Sequence, residues 1–324
     1  MGRGVRVGSS GETRYFTGPA FTRPIAVWPV PGPAAMHYSA GHARTAFYFP
    51  FALSLGHERK RNMSTRLSPG AQVPAMLLAA GRGERMRPLT DTTPKPLLEV
   101  QGQPLLQWHL QALQAAGVEK VVINTAWLGE QIRERFSSDF GSKSFIHNAR
   151  QLSISYSREE ADGDGALETA GGIARALPLL GPVFWLAAGD VFAPDFRFDS
   201  AAVQAFVASN YLAHLWLVPN PAHNPRGDFG LSASGLALNL PAHDDTTPRH
   251  TYSTIALLRA ELFAPPWCSI APGNPAGIKA PLAPLLRRAM DNGRVSAQLY
   301  TGRWTDVGTP ERLAELNTLS PVLS

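Results

Sequence analysis

The sequence predicts an α/β fold: a mostly parallel sheet with helices on both faces. Three observations carry that expectation. Short apolar runs suited to buried strands alternate with amphipathic runs of helix length, and glycine, proline and asparagine punctuate the joints. The alternation also persists from residue 74 nearly to the end of the chain. Strand–helix–strand repetition at this spacing implies crossover connections, which put parallel neighbours side by side and bury them on both faces.

The elements follow in order. Residues 75–80 read as a first strand. Residues 104–116 read as a helix, with Leu106, Leu110 and Leu113 on one stripe and Gly117 as its stop. A β-branched strand is expected at 121–124, a helix with outward charges at 128–136, and an alternating strand at 152–156. Residues 169–177 read as helical, and 183–187 as an apolar strand ending at Gly189-Asp190. Strands near 214–218 and 252–258 come next, then a helix over 282–290 closed by Gly293 and a strand near 295–300. Thr309-Pro310-Glu311 supplies an N-cap, a first-turn proline and an acid at the positive end of the helix dipole, so a last helix starts there. No tandem repeat or internal linker interrupts the body, and residues 74–324 are expected to form one domain.

Composition narrows the function classes. Of 324 residues, 44% are hydrophobic and 17% charged, enough apolar material for a sizeable core and too much for wholesale disorder. A lone cysteine, Cys268, excludes an intramolecular disulfide and a multi-thiolate zinc site, and suits a reducing, cytoplasmic setting. No run of 18 apolar residues suggests a membrane span. The net charge of +5 splits unevenly: residues 1–74 hold nine Lys/Arg and two Asp/Glu, the remainder 21 and 23. The body is therefore slightly acidic and offers no nucleic-acid surface. Residues 1–73 are rich in Gly and Pro and lack a lasting period. They are expected to be a disordered extension, translated ahead of a native start at Met63 or Met76.

The chemistry concentrates in Leu78-Ala79-Ala80-Gly81-Arg82-Gly83-Glu84-Arg85-Met86, followed by Pro94-Lys95-Pro96-Leu97. A buried strand runs into a loop whose glycines let backbone N–H groups approach an anion. Arg85 and Lys95 add fixed positive charge, and the flanking prolines stiffen the backbone that carries the lysine. Met86 stands where a dinucleotide-binding loop needs its last glycine, and the Gly-Lys-Ser/Thr ending of a Walker loop is absent.

These motifs resemble those of the sugar-1-phosphate nucleotidylyltransferases. Residues 123–129, Leu167-Glu168-Thr169-Ala170-Gly171-Gly172-Ile173, Gly227-Asp228-Phe229 and Trp304-Thr305-Asp306-Val307-Gly308 resemble the branch that acts on UTP and N-acetylmuramate 1-phosphate in cell-wall recycling. The resemblance spans about residues 74–320. It implies a Rossmann-like three-layer sandwich with a mixed, mostly parallel sheet, and Mg2+ as cofactor. It further implies that Ala80, Gly81, Gly83, Glu84, Arg85 and Lys95 meet the triphosphate, with Glu159 toward the uridine. Glu168, Gly171, Ala188, Asp228 and Lys279 would face the acceptor sugar phosphate, and Asp190 and Asp306 would hold the metal.

Three positions depart from the branch: Ala188 stands where asparagine is usual, Ala170 where glycine is, and Thr125 where histidine is. The acceptor therefore stays open between N-acetylmuramate 1-phosphate and another sugar phosphate, such as glucose or mannose 1-phosphate. A non-catalytic nucleotide-sugar sensor is the rival from another class, and a monomer suits either reading. Asp195 and Asp199 are read as loop solvation or helix capping. The histidines at 109, 147, 214, 223, 243 and 250 show no metal-ligand spacing and are read as surface or packing residues.

Overall fold

A computed structural model describes residues 73–136, 151–159, 165–244 and 246–319. The expectations for residues 1–72 and for His147 lie outside the described residues.

The strands are β1 (Ala75–Leu78), β2 (Glu99–Val100), β3 (Gln103–Pro104), β4 (Lys120–Thr125), β5 (Ser153–Arg158), β6 (Val183–Ala188), β7 (Val191–Phe192), β8 (Ala213–Val218), β9 (Phe229–Leu231), β10 (Ala237–Leu238), β11 (Arg249–Arg259), β12 (Val295–Leu299) and β13 (Thr305–Asp306). The helices are α1 (Leu89–Thr92), α2 (Leu105–Ala115), α3 (Gly129–Arg135), α4 (Glu168–Ala176), α5 (Ser200–Ala208), α6 (Ala283–Asp291) and α7 (Pro310–Thr318). Strands β5, β4, β1 and β6 lie side by side and parallel, as crossover connections require. Beyond β6 the sheet turns mixed. Strand β11 runs antiparallel to both β6 and β8, and β12 pairs parallel with β8.

Strand alternation sorts the core into two layers. Leu77, Ile123 and Trp185 face α2 and α3, where Leu106, Leu110, Leu113 and Ile132 meet them. Met76, Val122, Phe184 and Leu186 face the opposite layer, against Ile173 of α4 and Leu286 and Ala289 of α6. Both layers are fully buried, which is why these strands read as continuous apolar runs. Helix α2 stops at Gly117, whose positive φ of 79° directs its N–H to Gln114 O while Val118 N–H reaches Leu113 O. Asp199 caps α5, a helix not anticipated from sequence, by accepting from Ala201 N–H at 2.8 Å. Asp195 instead pairs with Arg303 at 2.6 Å, and that guanidinium holds its carboxyl below the usual carboxylate range.

Val73, just before the expected boundary, is buried in the core. Met76 lies inside β1, fully buried and in register with Val122 and Leu186, so a chain beginning there would lack the first residue of the central strand.

Trp185 is the pivot of one layer, with Phe198 and Trp216 rings at 5.1 and 5.0 Å. Trp185→Ala is expected to cost about 3–5 kcal/mol of unfolding free energy. Leu319→Ala, at an exposed position, should stay within about 0.5 kcal/mol. Urea denaturation of the two variants checks the contrast.

Candidate active site

The C-terminal ends of β1, β4 and β6 open into a cleft of about 500 Å³. Crevices past the carboxyl ends of parallel strands are where such sheets bind ligands. The glycine-rich segment forms one wall. Gly83 adopts a left-handed conformation, φ 68° and ψ 38°, from which its carbonyl accepts from Thr90 Oγ1 and from Met86 N–H. A Cβ on Gly83 would stand 3.1 Å from Thr90 and 3.2 Å from Lys95, so both space and backbone require glycine here. Arg82 turns away from the cleft: it stacks on Trp127 at 3.7 Å and donates to Thr90 O and Asp91. It thereby fixes the loop without occupying its inner side.

A buried polar network ties the strand ends together. Asn124, at the end of β4, accepts from Ala79 N–H at 2.8 Å and donates to Glu159 Oε1 at 2.7 Å. Glu159 Oε2 accepts from Leu167 N–H at 2.7 Å, at the start of α4. A Cβ on Gly172 would run into the Glu159 carboxylate, so a glycine in α4 lets that buried group sit close. Both Glu159 oxygens are thus engaged within the protein, and this residue braces the wall it was expected to line for a nucleoside.

At the rim, Lys95 Nζ meets Asp190 Oδ2 at 2.5 Å. The lysine is 8% exposed and sits in a short turn between Pro94 and Pro96, so its ammonium has little freedom. Asp190 follows β6 at the tight junction with β7. Behind it, buried His109 contacts Val191 O at 2.8 Å, and burial pushes the imidazole down. A carbonyl can only accept, so Nε2 carries the hydrogen. Strand β13 pairs with β7, placing Asp306 opposite Val191, while Val307 N–H donates to Asp190 O at 3.0 Å. The two aspartates expected to hold a metal therefore lie on neighbouring backbone segments. Asp306 Oδ1 accepts from Arg312 Nη1 at 2.6 Å and faces His223 Nε2 at 2.7 Å.

Among the sequence-derived candidates, Ala80, Gly81, Gly83, Glu84, Arg85, Lys95, Glu159, Glu168, Ala188 and Asp190 line this one cleft. Arg85 is exposed there and makes no ion pair among the described residues. Glu168 adopts a positive φ of 57°, a strained conformation for a side-chain-bearing residue at a cleft. Four candidates are not among its lining residues: Asp306, two positions before the lining Gly308, and three that lie farther off. Gly171 packs under the 278–280 segment, since a Cβ there would run into Ile278 O. Lys279 is an exposed residue of that same segment. Asp228 spends its oxygens on Tyr252 N–H at 2.8 Å and Asn224 at 3.3 Å, so it fastens β9 to β11. His223, read as a surface or packing residue, is exposed and also stands against Asp306. Asn124, Arg312 and the Arg82–Trp127 stack were not foreseen. A polar residue ending a parallel strand was the available signal for Asn124.

A family model for nucleotidyl transferases matches residues 74–234. The chain is 47% identical over 248 residues to the N-acetylmuramate alpha-1-phosphate uridylyltransferase of Neisseria meningitidis serogroup B, covering 76% of this chain and 97% of that protein. It is 32% identical to the enzyme of the same name from Caulobacter vibrioides, covering 73% and 92%. The chain belongs to the sugar-1-phosphate nucleotidylyltransferases. Among solved structures, the inositol-1-phosphate CTP transferase of T. maritima superposes with a TM-score of 0.53 at 19% identity, over 77% of this chain and 96% of that one, a likeness of fold. This nucleotidylyltransferase differs from its expected branch pattern at three positions, of which only Ala188 faces the cleft. Ala170 is buried in the core, and Thr125 is buried with its hydroxyl accepting from Arg133.

Neutralising Asp190 leaves the Lys95 ammonium without its counter-ion. Asp190→Asn is expected to raise the affinity for inorganic tripolyphosphate, measured by calorimetry in EDTA, about fivefold, matching roughly 1 kcal/mol for a partly exposed pair. Unchanged or weaker binding contradicts this electrostatic description.

Proposed function

We propose that this enzyme transfers the uridylyl group of UTP to N-acetylmuramate α-1-phosphate, giving the UDP-sugar and pyrophosphate, as a magnesium-dependent cytosolic step in cell-wall recycling. One observation carries the reading: Lys95, Arg85 and Asp190 line one cleft walled by a glycine-rich loop, and Asp306 lies on the strand paired with the segment that follows Asp190. The names of the two uridylyltransferase relatives support the choice of nucleotide and acceptor.

The chemistry asks for what the rim supplies. A sugar phosphate has a second pKa of about 6, so near neutral pH the nucleophile is already an anion. Its oxygen forms a bond to the α-phosphorus while the bond from that phosphorus to the bridging oxygen of pyrophosphate breaks. No proton needs to be removed first, and no general base is needed. The obstacle is repulsion between anions and charge building on the leaving pyrophosphate, and fixed cations with in-line placement reduce both. Lys95 and Arg85 take the triphosphate oxygens. The backbone at Gly81 and Gly83 lets the phosphates approach closely, and Asn124 and Glu159 keep that backbone in place.

Asp190 and Asp306 fit a hard divalent cation in donor chemistry. Both are partly exposed carboxylates on paired strands, and among the described residues Asp190 Oδ1 and Asp306 Oδ2 make no hydrogen bond. No cluster of three or more His, Cys, Asp or Glu side chains suited to a metal occurs among the described residues. Magnesium commonly uses one or two carboxylates and completes its shell with phosphate oxygens and water. When bound, such a cation supplies charge neutralisation at the phosphates.

Pyrophosphate release should be measured over a panel of triphosphates (UTP, dTTP, GTP, CTP) and sugar 1-phosphates. The reading predicts the fastest turnover with UTP and N-acetylmuramate 1-phosphate, and a loss of at least about a hundredfold in Lys95→Ala with little change in melting temperature. Faster turnover with glucose or mannose 1-phosphate would move the acceptor. UTP binding with no pyrophosphate release from any pair would favour a sensor.

A further inference from the structure

The closing helix of the chain reaches back to the site. Thr309 caps α7, with Pro310 in its first turn, and that turn carries Arg312 under Asp306. Arg312 Nη1 donates to both Asp306 O at 2.8 Å and Asp306 Oδ1 at 2.6 Å. His223 Nε2 lies 2.7 Å from the same Oδ1 and 3.4 Å from Arg312 Nη1. Two donors from distant parts of the chain thus converge on one carboxylate oxygen. The other oxygen is treated differently. Asp306 Oδ2 lies beside Gly308, a cleft-lining residue on which a Cβ would stand 3.0 Å from Oδ2 and 3.1 Å from Arg312 Nη1. The bare α-carbon of Gly308 leaves room for Oδ2, which makes no hydrogen bond among the described residues, while the guanidinium sits close by.

We propose that Arg312, with His223 beside it, is a positioning residue: it clamps Oδ1 of Asp306 and presents Oδ2 to the divalent cation that accompanies the triphosphate. The inference rests on reading Asp306 as a cation ligand. Hydrogen-bonded partners behind a metal ligand fix its direction before the metal arrives, and losing such a partner typically lowers metal affinity about 10–100-fold. Coulombic repulsion acts the other way, because a guanidinium beside a cation site disfavours the cation. Arg312 is only 19% exposed and spends its charge on Asp306. Orientation therefore outweighs repulsion, and removing the arginine weakens the site.

Mn2+ is the probe, its free concentration read by electron paramagnetic resonance with the full chain and saturating UTP. Arg312→Gln should lose at least about tenfold in Mn2+ affinity, Arg312→Lys should recover part of that loss, and His223→Asn should show a smaller loss in the same direction. UTP binding in EDTA should stay at the wild-type level in all three. Unchanged or tighter Mn2+ binding in Arg312→Gln overturns the proposal. So does a parallel loss of metal-free UTP binding, which is the mark of a merely structural role. Should Arg312→Gln fail to fold, His223→Asn at its exposed position decides alone, and unchanged Mn2+ affinity there overturns the proposal. Asp306→Asn separates the two layers of argument. If it leaves Mn2+ affinity intact, the reading of Asp306 fails and takes the inference with it. If it weakens Mn2+ binding while Arg312→Gln does not, only the inference falls.

Discussion

The ion pair between Lys95 and Asp190 organises this site. A nearly buried ammonium is costly unless an opposite charge stands beside it, and a carboxylate in the same crevice carries the converse problem. Each is tolerable because of the other. The residues that settle this local difficulty are also of the kind the proposed reaction calls for, a fixed positive charge for phosphate oxygens and a hard oxygen ligand for a cation. The pair joins a turn stiffened by Pro94 and Pro96 to the end of β6, so the sheet itself sets its position.

Around that pair the protein has already ordered most of what a ligand would otherwise have to order. Arg82 on Trp127, Thr90 on Gly83 O, and Asn124 between Ala79 and Glu159 all restrain the glycine-rich loop before anything binds. Ordering groups in advance removes entropy losses that would otherwise weaken binding and misalign the attack. The two aspartates follow the same logic. Each has one carboxylate oxygen held by a basic side chain, Lys95 or Arg312, and one without a hydrogen bond among the described residues.

Much of this was legible in the sequence, for physical reasons. Periodicity located β1, β4, β6, α2 and α6 because their residues alternate or stripe against a fully buried core. Capping chemistry placed α7 because Thr309 and Pro310 act locally. Helix α5 escaped notice because its alanines give little contrast between faces. The antiparallel course of β11 depends on pairing with β6 and β8, which no local pattern encodes. At the cleft, local motifs drew attention to the loop, the lysine and both aspartates, which the fold brings near one another. They did not show that Asp228 fastens a strand junction or that His223 meets Asp306, because both depend on partners remote in the chain. A resemblance to a family motif carries position well. It carries the direction of a side chain less well, because direction is decided by contacts from elsewhere.

The central claim is that Lys95, Asp190 and Asp306 share one nucleotide. A crystal structure with a non-hydrolysable UTP analogue and Mg2+ tests it most directly. The account predicts Lys95 Nζ within hydrogen-bonding distance of a phosphate oxygen, drawn off Asp190, and both aspartates around one cation on the same phosphates. A triphosphate seated outside the cleft, or Lys95 still paired with Asp190 while the analogue and cation are bound, would contradict it.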